Sequence, residues 1–290
     1  MPEVAAKPLD PSEYLTAYRA THEPSGAASA DLWVMHLVQF LGNRPLTAEE
    51  LYRWRARLVE EGYKPSSINK AAQTVKVYLK YLRITGLLKM DADLIGIALA
   101  TAHVPYRLPQ MLEPGDIRKL AVACDPTTPV AKFFCLGILT AMRPGEVLRC
   151  RPENFNPSLG VVCYSTKTKR ERVIPAKDSP ALQTIIRAPW APGKSLCEGF
   201  SIFVWNEFTK RALGRKVDRK VLRSTYATYA ASSDKLTEFD YVSRMGHGTG
   251  IASQFYRVRR EGVTGDTVEE WLGAKDELRS LSERICQCKS

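Results

Sequence analysis

Two short β-rich runs, Val161–Ser165 and Arg172–Pro175, flank a basic turn in "GVVCYSTKTKRERVIPA", which reads as a hairpin. Most of the remaining chain carries helical patterns. The expected fold class is therefore mainly α with a small β-sheet or hairpin (α+β), preceded by an N-terminal helical bundle. At 290 residues there is room for two domains, each with its own core.

The first hundred residues read as helices. "TAEELYRWRARLVEEG" opens on Thr47 as N-cap with Glu50 three residues on, and stops at Gly62. "SSINKAAQTVKVYLKYLRITG" begins at Ser66 or Ser67 and stops at Gly86, with Val75, Tyr78, Leu79 and Leu82 as an apolar stripe. Lys76, Lys80 and Arg83 share another face of it, and the helix before carries Arg53, Arg55 and Arg57. These read either as solvated faces or as surfaces laid on a phosphate backbone.

A proline-rich stretch, "ATAHVPYRLPQMLEPGDI", has no helical period and marks a boundary. The expected organisation is a helical domain over 1–103, a linker over 104–111, a second domain over 112–262 and a tail helix over 263–290. In the second domain, helices are expected near 114–124, 128–142, 179–187, 203–213, 219–232, 237–245 and 250–257. The tail helix is expected from about Asp266, where Trp271, Ala274, Leu278, Leu281 and Ile285 alternate at spacings of three and four. Such a seam can fold back on its own domain or dock on a neighbour; we expect docking between protomers.

Charge is distributed unevenly. The net charge is +11, but residues 1–103 hold 12 Lys/Arg against 11 Asp/Glu, residues 104–263 hold 26 against 14, and residues 264–290 hold 4 against 6. A basic middle section favours a polyanionic partner such as nucleic acid. The seven cysteines are odd in number, irregularly spaced and without paired C-x-x-C motifs, so free thiols in a reducing compartment are expected and no structural zinc. No apolar run is long enough to span a bilayer. "MPEVAAKPLD" does not have the pattern of a secretory signal.

Chemistry-bearing residues then appear in a fixed order. "FFCLGILTAMRPGEVLRCRPENF" reads as an apolar helix that ends in Arg143, a Pro-Gly turn and Glu146. That arginine is either a helix cap or a cation aimed at an anion and held by the carboxylate. Lys167 sits in the hairpin turn. Lys220 and Arg223 lie three apart on one helix face in "DRKVLRSTYATYAAS". His247 and Tyr256 follow in "GHGTGIASQFYRV".

Each piece alone is weak, but the ordered set resembles the catalytic domain of the tyrosine recombinases, the phage integrase and Xer-type family. The matching stretches are "LTAMRPGEVLRCRPENF", "TKTKRERVIP", "KVLRSTYAT" and "MGHGTGIASQFY", covering about 112–260. The preceding helical section resembles the family's core-binding domain, giving a two-domain clamp on DNA. The resemblance implies Tyr256 as nucleophile, Arg143 and Arg223 on the scissile phosphate, Lys167 as general acid, His247 as a phosphate donor and Glu146 in support. Lys220 stands where most members have histidine, as in some archaeal virus and plasmid integrases, which hints at an archaeal mobile element. Lys169 and Arg170, beside the hairpin turn, are expected to touch DNA.

The implied reaction is site-specific strand transfer through a 3′-phosphotyrosine, without metal cofactor or ATP. Implied partners are double-stranded DNA, a homotetramer on DNA that is monomeric or weakly associated when free, and an accessory directionality factor. The implied location is the nucleoid of a prokaryotic cytoplasm. A type IB topoisomerase shares the chemistry, and an inactive DNA-binding relative would share the fold.

Overall fold

A computed structural model of the chain describes residues 10–105, 110–165, 170–246 and 260–288. Helices dominate it, with one small sheet, and the chain divides into two compact units, Met1–Tyr106 and Arg107–Ser290. Among the described residues no helix is long and apolar enough to cross a membrane.

The first unit contains α1 (Ser12–Thr21), α2 (Pro24–Leu41), α3 (Ala48–Glu60), α4 (Pro65–Ile84) and α5 (Ala92–Ala98). Its core gathers Leu37 from α2, Leu51, Trp54 and Leu58 from α3, and Val75, Tyr78, Leu79 and Leu82 from α4. Thr47 caps α3 by accepting the Glu50 N–H at 3.2 Å. The reciprocal half of the expected capping box is not made. Glu50 turns instead to the guanidiniums of Arg44 at 2.6 Å and Arg53 at 2.9 Å. Helix α4 starts at Pro65, one residue before the expected serines, because proline suits the first helical position.

The second unit contains α6 (Pro114–Ala123), α7 (Pro129–Thr140), the single turn α8 (Pro144–Val147), β1 (Phe155–Asn156), β2 (Gly160–Ser165) and β3 (Arg170–Ile174). It continues with α9 (Pro180–Arg187), α10 (Ile202–Leu213), α11 (Lys220–Ser232), α12 (Glu238–Met245), the single turn α13 (Val268–Trp271) and α14 (Lys275–Gln287). The strands form one antiparallel sheet in the order β1-β2-β3, so the hairpin gains a two-residue third strand. In the hairpin, Val161 pairs with Ile174 and Cys163 with Arg172.

Helix α7 lies at the centre, buried from Phe133 to Thr140. A Cβ on Gly137 would stand 2.8 Å from Leu222 Cδ1, so this glycine permits the close approach of α11. That approach brings Arg223, the next residue, to the end of α7.

The tail is two helices rather than one. Gly273 breaks it at φ +63°, in the left-handed region, where a Cβ would also meet Pro114 at 2.9 Å. The seam residues Trp271, Ala274, Leu278, Leu281 and Ile285 are all buried in the core of their own unit, with α14 packed on α6, α7 and α9. Buried Glu269 completes the anchorage by accepting from Ser179 Oγ at 2.7 Å and the Ala181 N–H at 2.8 Å. Docking on a neighbour through this seam would require it to leave that core. Leu281→Ala should accordingly cost the second unit about 2–5 kcal/mol in the absence of DNA, read from the urea midpoint. A seam serving only a neighbour would leave that midpoint unchanged.

Candidate active site

The end of α7 sets the first arginine. Ala141 is the one non-glycine residue with positive φ (+54°) among those described, and it turns the chain out of the helix. Met142 follows, and Arg143 becomes the N-cap of α8. Arg143 therefore does not cap α7. Its backbone N–H donates to Glu146 Oε2 at 2.7 Å and its Nη1 to Glu146 Oε1 at 2.9 Å. Its side chain keeps 25% of its surface open.

Glu146 is the centre of the arrangement. Its side chain is 3% exposed, and a second guanidinium reaches it from β3. Arg172 donates from Nη2 to Oε2 at 2.7 Å and from Nη1 to Oε1 at 3.3 Å. Burial alone would raise the Glu146 carboxyl. The hydrogen bond and charge of Arg172, joined by the two bonds from Arg143, outweigh that and hold it down at about 2.

Arg223 arrives from α11. It donates from Nη1 to the Ala141 carbonyl at 2.5 Å and from Nη2 to the Met245 carbonyl at 2.5 Å. Burial, then the charges of Arg143 and Arg172, push its guanidinium down to about 9, which leaves it protonated at neutral pH. The two arginines are 80 positions apart in sequence and stand in each other's field. Met245 is the last residue of α12, so Arg223 also holds the C-terminal end of that helix.

Arg172 closes a third side: its Nε donates to the Arg244 carbonyl at 2.9 Å. The Arg244 side chain turns away to Asp178 at 2.6 Å. Lys220 opens α11, exposed, three residues before Arg223, with its amide on Asp218 Oδ1 at 2.7 Å. Arg215, five residues before Lys220, pairs with Asp116 at 2.5 Å. Lys167, Lys169, His247 and Tyr256 lie outside the described residues, as does the helix expected over 250–257. Of Arg170 only the backbone, opening β3, is described. The structure thus brings Arg143, Glu146 and Arg223 together.

Sequence reasoning missed Arg172. The signal was available: it stands two residues before Ile174, which is buried at 1% exposure, so a guanidinium stands on the inward face of a strand. A charge there requires a buried partner.

In the first unit the expected cations divide. Arg53 is taken by Glu49 at 2.6 Å and Glu50 at 2.9 Å, and Arg57 by Glu61 at 2.8 Å. Arg55 and Lys76 are half-buried. Lys80 and Arg83, with Lys89, which the sequence reading also missed, line an open cleft of about 460 Å³. None of these three forms an ion pair among the described residues. If this face meets DNA, Lys80→Ala should weaken binding and lower the salt slope by about one, whereas Arg53→Ala should leave both nearly unchanged. Titrations from low to moderate salt check this.

No family model matches the chain. It is similar to tyrosine recombinase XerD of Vibrio cholerae serotype O1, at 28% identity over 129 residues, which is 43% of this chain and 42% of that protein. The XerD of Vibrio vulnificus strain YJ016 is 27% identical over 129 residues, 43% of this chain and 41% of that protein. The chain thus matches less than half the length of these curated relatives. Among solved structures, a lambda integrase dimer bound to a COC′ core site superposes with a TM-score of 0.64 at 15% identity, covering 88% of this chain and 96% of that one. The Tn1549 transposon integrase in complex with transposon right end DNA gives 0.62 at 14% identity, covering 84% and 93%.

The fold is therefore that of the lambda integrase structures, helical with a small three-stranded sheet. The curated proteins it is similar to in sequence are tyrosine recombinases.

Proposed function

We propose that the chain is a site-specific DNA recombinase that cuts and rejoins strands through a phosphotyrosine bond at Tyr256. The observation that carries this reading is the convergence of Arg143 and Arg223. Both are held by framework bonds at one place, next to the start of the segment that bears His247 and Tyr256.

The chemistry follows from the groups. Attack of the Tyr256 oxygen on phosphorus forms an O–P bond, and the bond from phosphorus to the 5′ oxygen breaks. The pentavalent state between them carries extra negative charge on its non-bridging oxygens. Guanidiniums that stay charged and present forked donors stabilise that charge. A site that is already bonded into the fold needs little reorganisation to do so. The departing 5′ oxygen takes a proton, and Lys167 in the hairpin turn is the assigned donor. A phenol with an ordinary pKa near 10 needs help losing its proton. Lys220, as a charged neighbour of Arg223, is assigned to stabilise the tyrosinate or the phosphate. The phosphotyrosine conserves the bond energy, so rejoining needs no ATP.

The partner in this reading is duplex DNA carrying a defined site, bound by a tetramer of the chain. Related structures are described as an integrase dimer and tetramer on DNA, which supports that assembly. To test it, the preferred duplex is selected from a random-sequence pool, and two labelled copies are incubated with the protein. Exchange of flanks between copies, dependent on the selected sequence, is expected. Relaxation of supercoiled plasmid without sequence dependence would instead identify a topoisomerase.

A further inference from the structure

The carboxylate of Glu146 has every lone-pair direction occupied. Oε1 accepts from Arg143 Nη1 at 2.9 Å and Arg172 Nη1 at 3.3 Å; Oε2 accepts from the Arg143 N–H at 2.7 Å and Arg172 Nη2 at 2.7 Å. Arg143 alone could not fill it. Arg172 does so from β3, and with its remaining Nε it grips the Arg244 carbonyl at the end of α12. One guanidinium therefore ties together three elements that are distant in sequence.

Two further observations mark this as a built arrangement. The Arg172 side chain is 7% exposed, so it is not presented to a ligand as Arg143 is at 25%. Gly246, at φ +57°, gives way to it: a Cβ there would lie 3.0 Å from Arg172 Cδ and 3.4 Å from Nε. Immediately after Gly246 comes His247.

We propose that Arg172 is a positioning residue of the strand-transfer site. It fixes Glu146 against Arg143 and fixes the end of α12, from which the His247 and Tyr256 segment departs. The proposal rests on the reading of the site as a strand transferase. Breaking the fork frees Glu146 to move, and Arg143 then loses the partner that sets its direction. A lysine at 172 keeps the charge but cannot bond both carboxylate oxygens and the Arg244 carbonyl from one planar group.

The pH dependence follows from what faces Glu146. From its own turn it meets Arg143; from β3, Arg172; from β2, the Cys163 thiol; from α11, the charge of Arg223. Without Arg172, burial is opposed by fewer cations, and protonation moves up from about 2 toward the range in which cleavage is assayed.

The test compares the full chain with Arg172→Gln and Arg172→Lys, after thermal melts establish that each is folded. Cleavage of a nicked duplex is followed at saturating DNA from pH 5 to 9, with the dissociation constant measured alongside. The expected result is a rate about 10–100-fold lower for both variants, as for other residues that orient a reacting group. DNA affinity should stay within about two-fold. The glutamine variant should also fall off more steeply than the parent at the acid end, because Glu146 stays ionised there only in the parent. Parent rates and a parent pH profile in Arg172→Gln would overturn the proposal, and so would a rate loss fully accounted for by weaker DNA binding. A second readout does not depend on cleavage: carbon NMR titration of the Glu146 carboxyl. A rise above the parent's value in Arg172→Gln supports the clamp, and an unchanged titration overturns it. If the parent chain forms no adduct, the strand-transfer reading fails, and the NMR result still decides the clamp.

Discussion

Arg223→Ala should lower strand cleavage at saturating DNA by about 10²–10³-fold, the loss seen when one fixed donor to a transition-state oxygen is removed. The effect should fall on the rate of the chemical step rather than on DNA affinity. The charge Arg223 stabilises develops only during reaction, so its loss is felt most in the transition state. The side chain also bridges the Ala141 and Met245 carbonyls, so its removal loosens both ends of the site. Arg223→Lys should recover little, because an ammonium cannot span two carbonyls and face a phosphate as a planar fork does. Single-turnover rates on a nicked duplex check this. An alanine variant that cleaves normally but binds weakly would assign Arg223 to DNA binding alone.

Glu146→Ala should destabilise the second unit by about 3–5 kcal/mol at neutral pH, since two guanidiniums lose their shared counter-charge in a buried place. The same interaction predicts a pH window. The folded carboxyl is held near 2, below its usual 4.5, so ionised Glu146 stabilises the native state above pH 4.5. That contribution, about 3 kcal/mol, is lost as pH falls from about 4.5 to about 2. Urea midpoints measured across this range should fall more steeply for the parent than for Glu146→Gln. Parallel slopes would mean that the pairing does not set the carboxyl's titration.

Much of this was readable beforehand, for identifiable reasons. The helices of both units follow from period and from prolines and glycines at their ends; α4 and its stripe of Val75, Tyr78, Leu79 and Leu82 are an example. The partnership of Arg143 with Glu146 was readable because three residues across a Pro-Gly turn bring the two side chains together. What escaped reading was tertiary. Arg172 looked like part of a short basic run, although its alternation with Ile174 places it on the inward face, opposite Cys163, where a cation needs a buried anion. The break at Gly273 was hidden by a seam whose spacing continues through it. Arg53 and Arg57 counted as surface cations until Glu49, Glu50 and Glu61 were found beside them. Charge in a sequence does not show which charges are already neutralised.

The most direct test of strand transfer at this site is covalent capture. A nicked duplex bearing the selected sequence is incubated with the chain in EDTA, denatured and run on a gel beside the Tyr256→Phe variant. A protein–DNA adduct that forms with the parent and vanishes with the phenylalanine variant is the predicted result. An adduct that survives in Tyr256→Phe, or none with a parent that binds the duplex tightly, would contradict it.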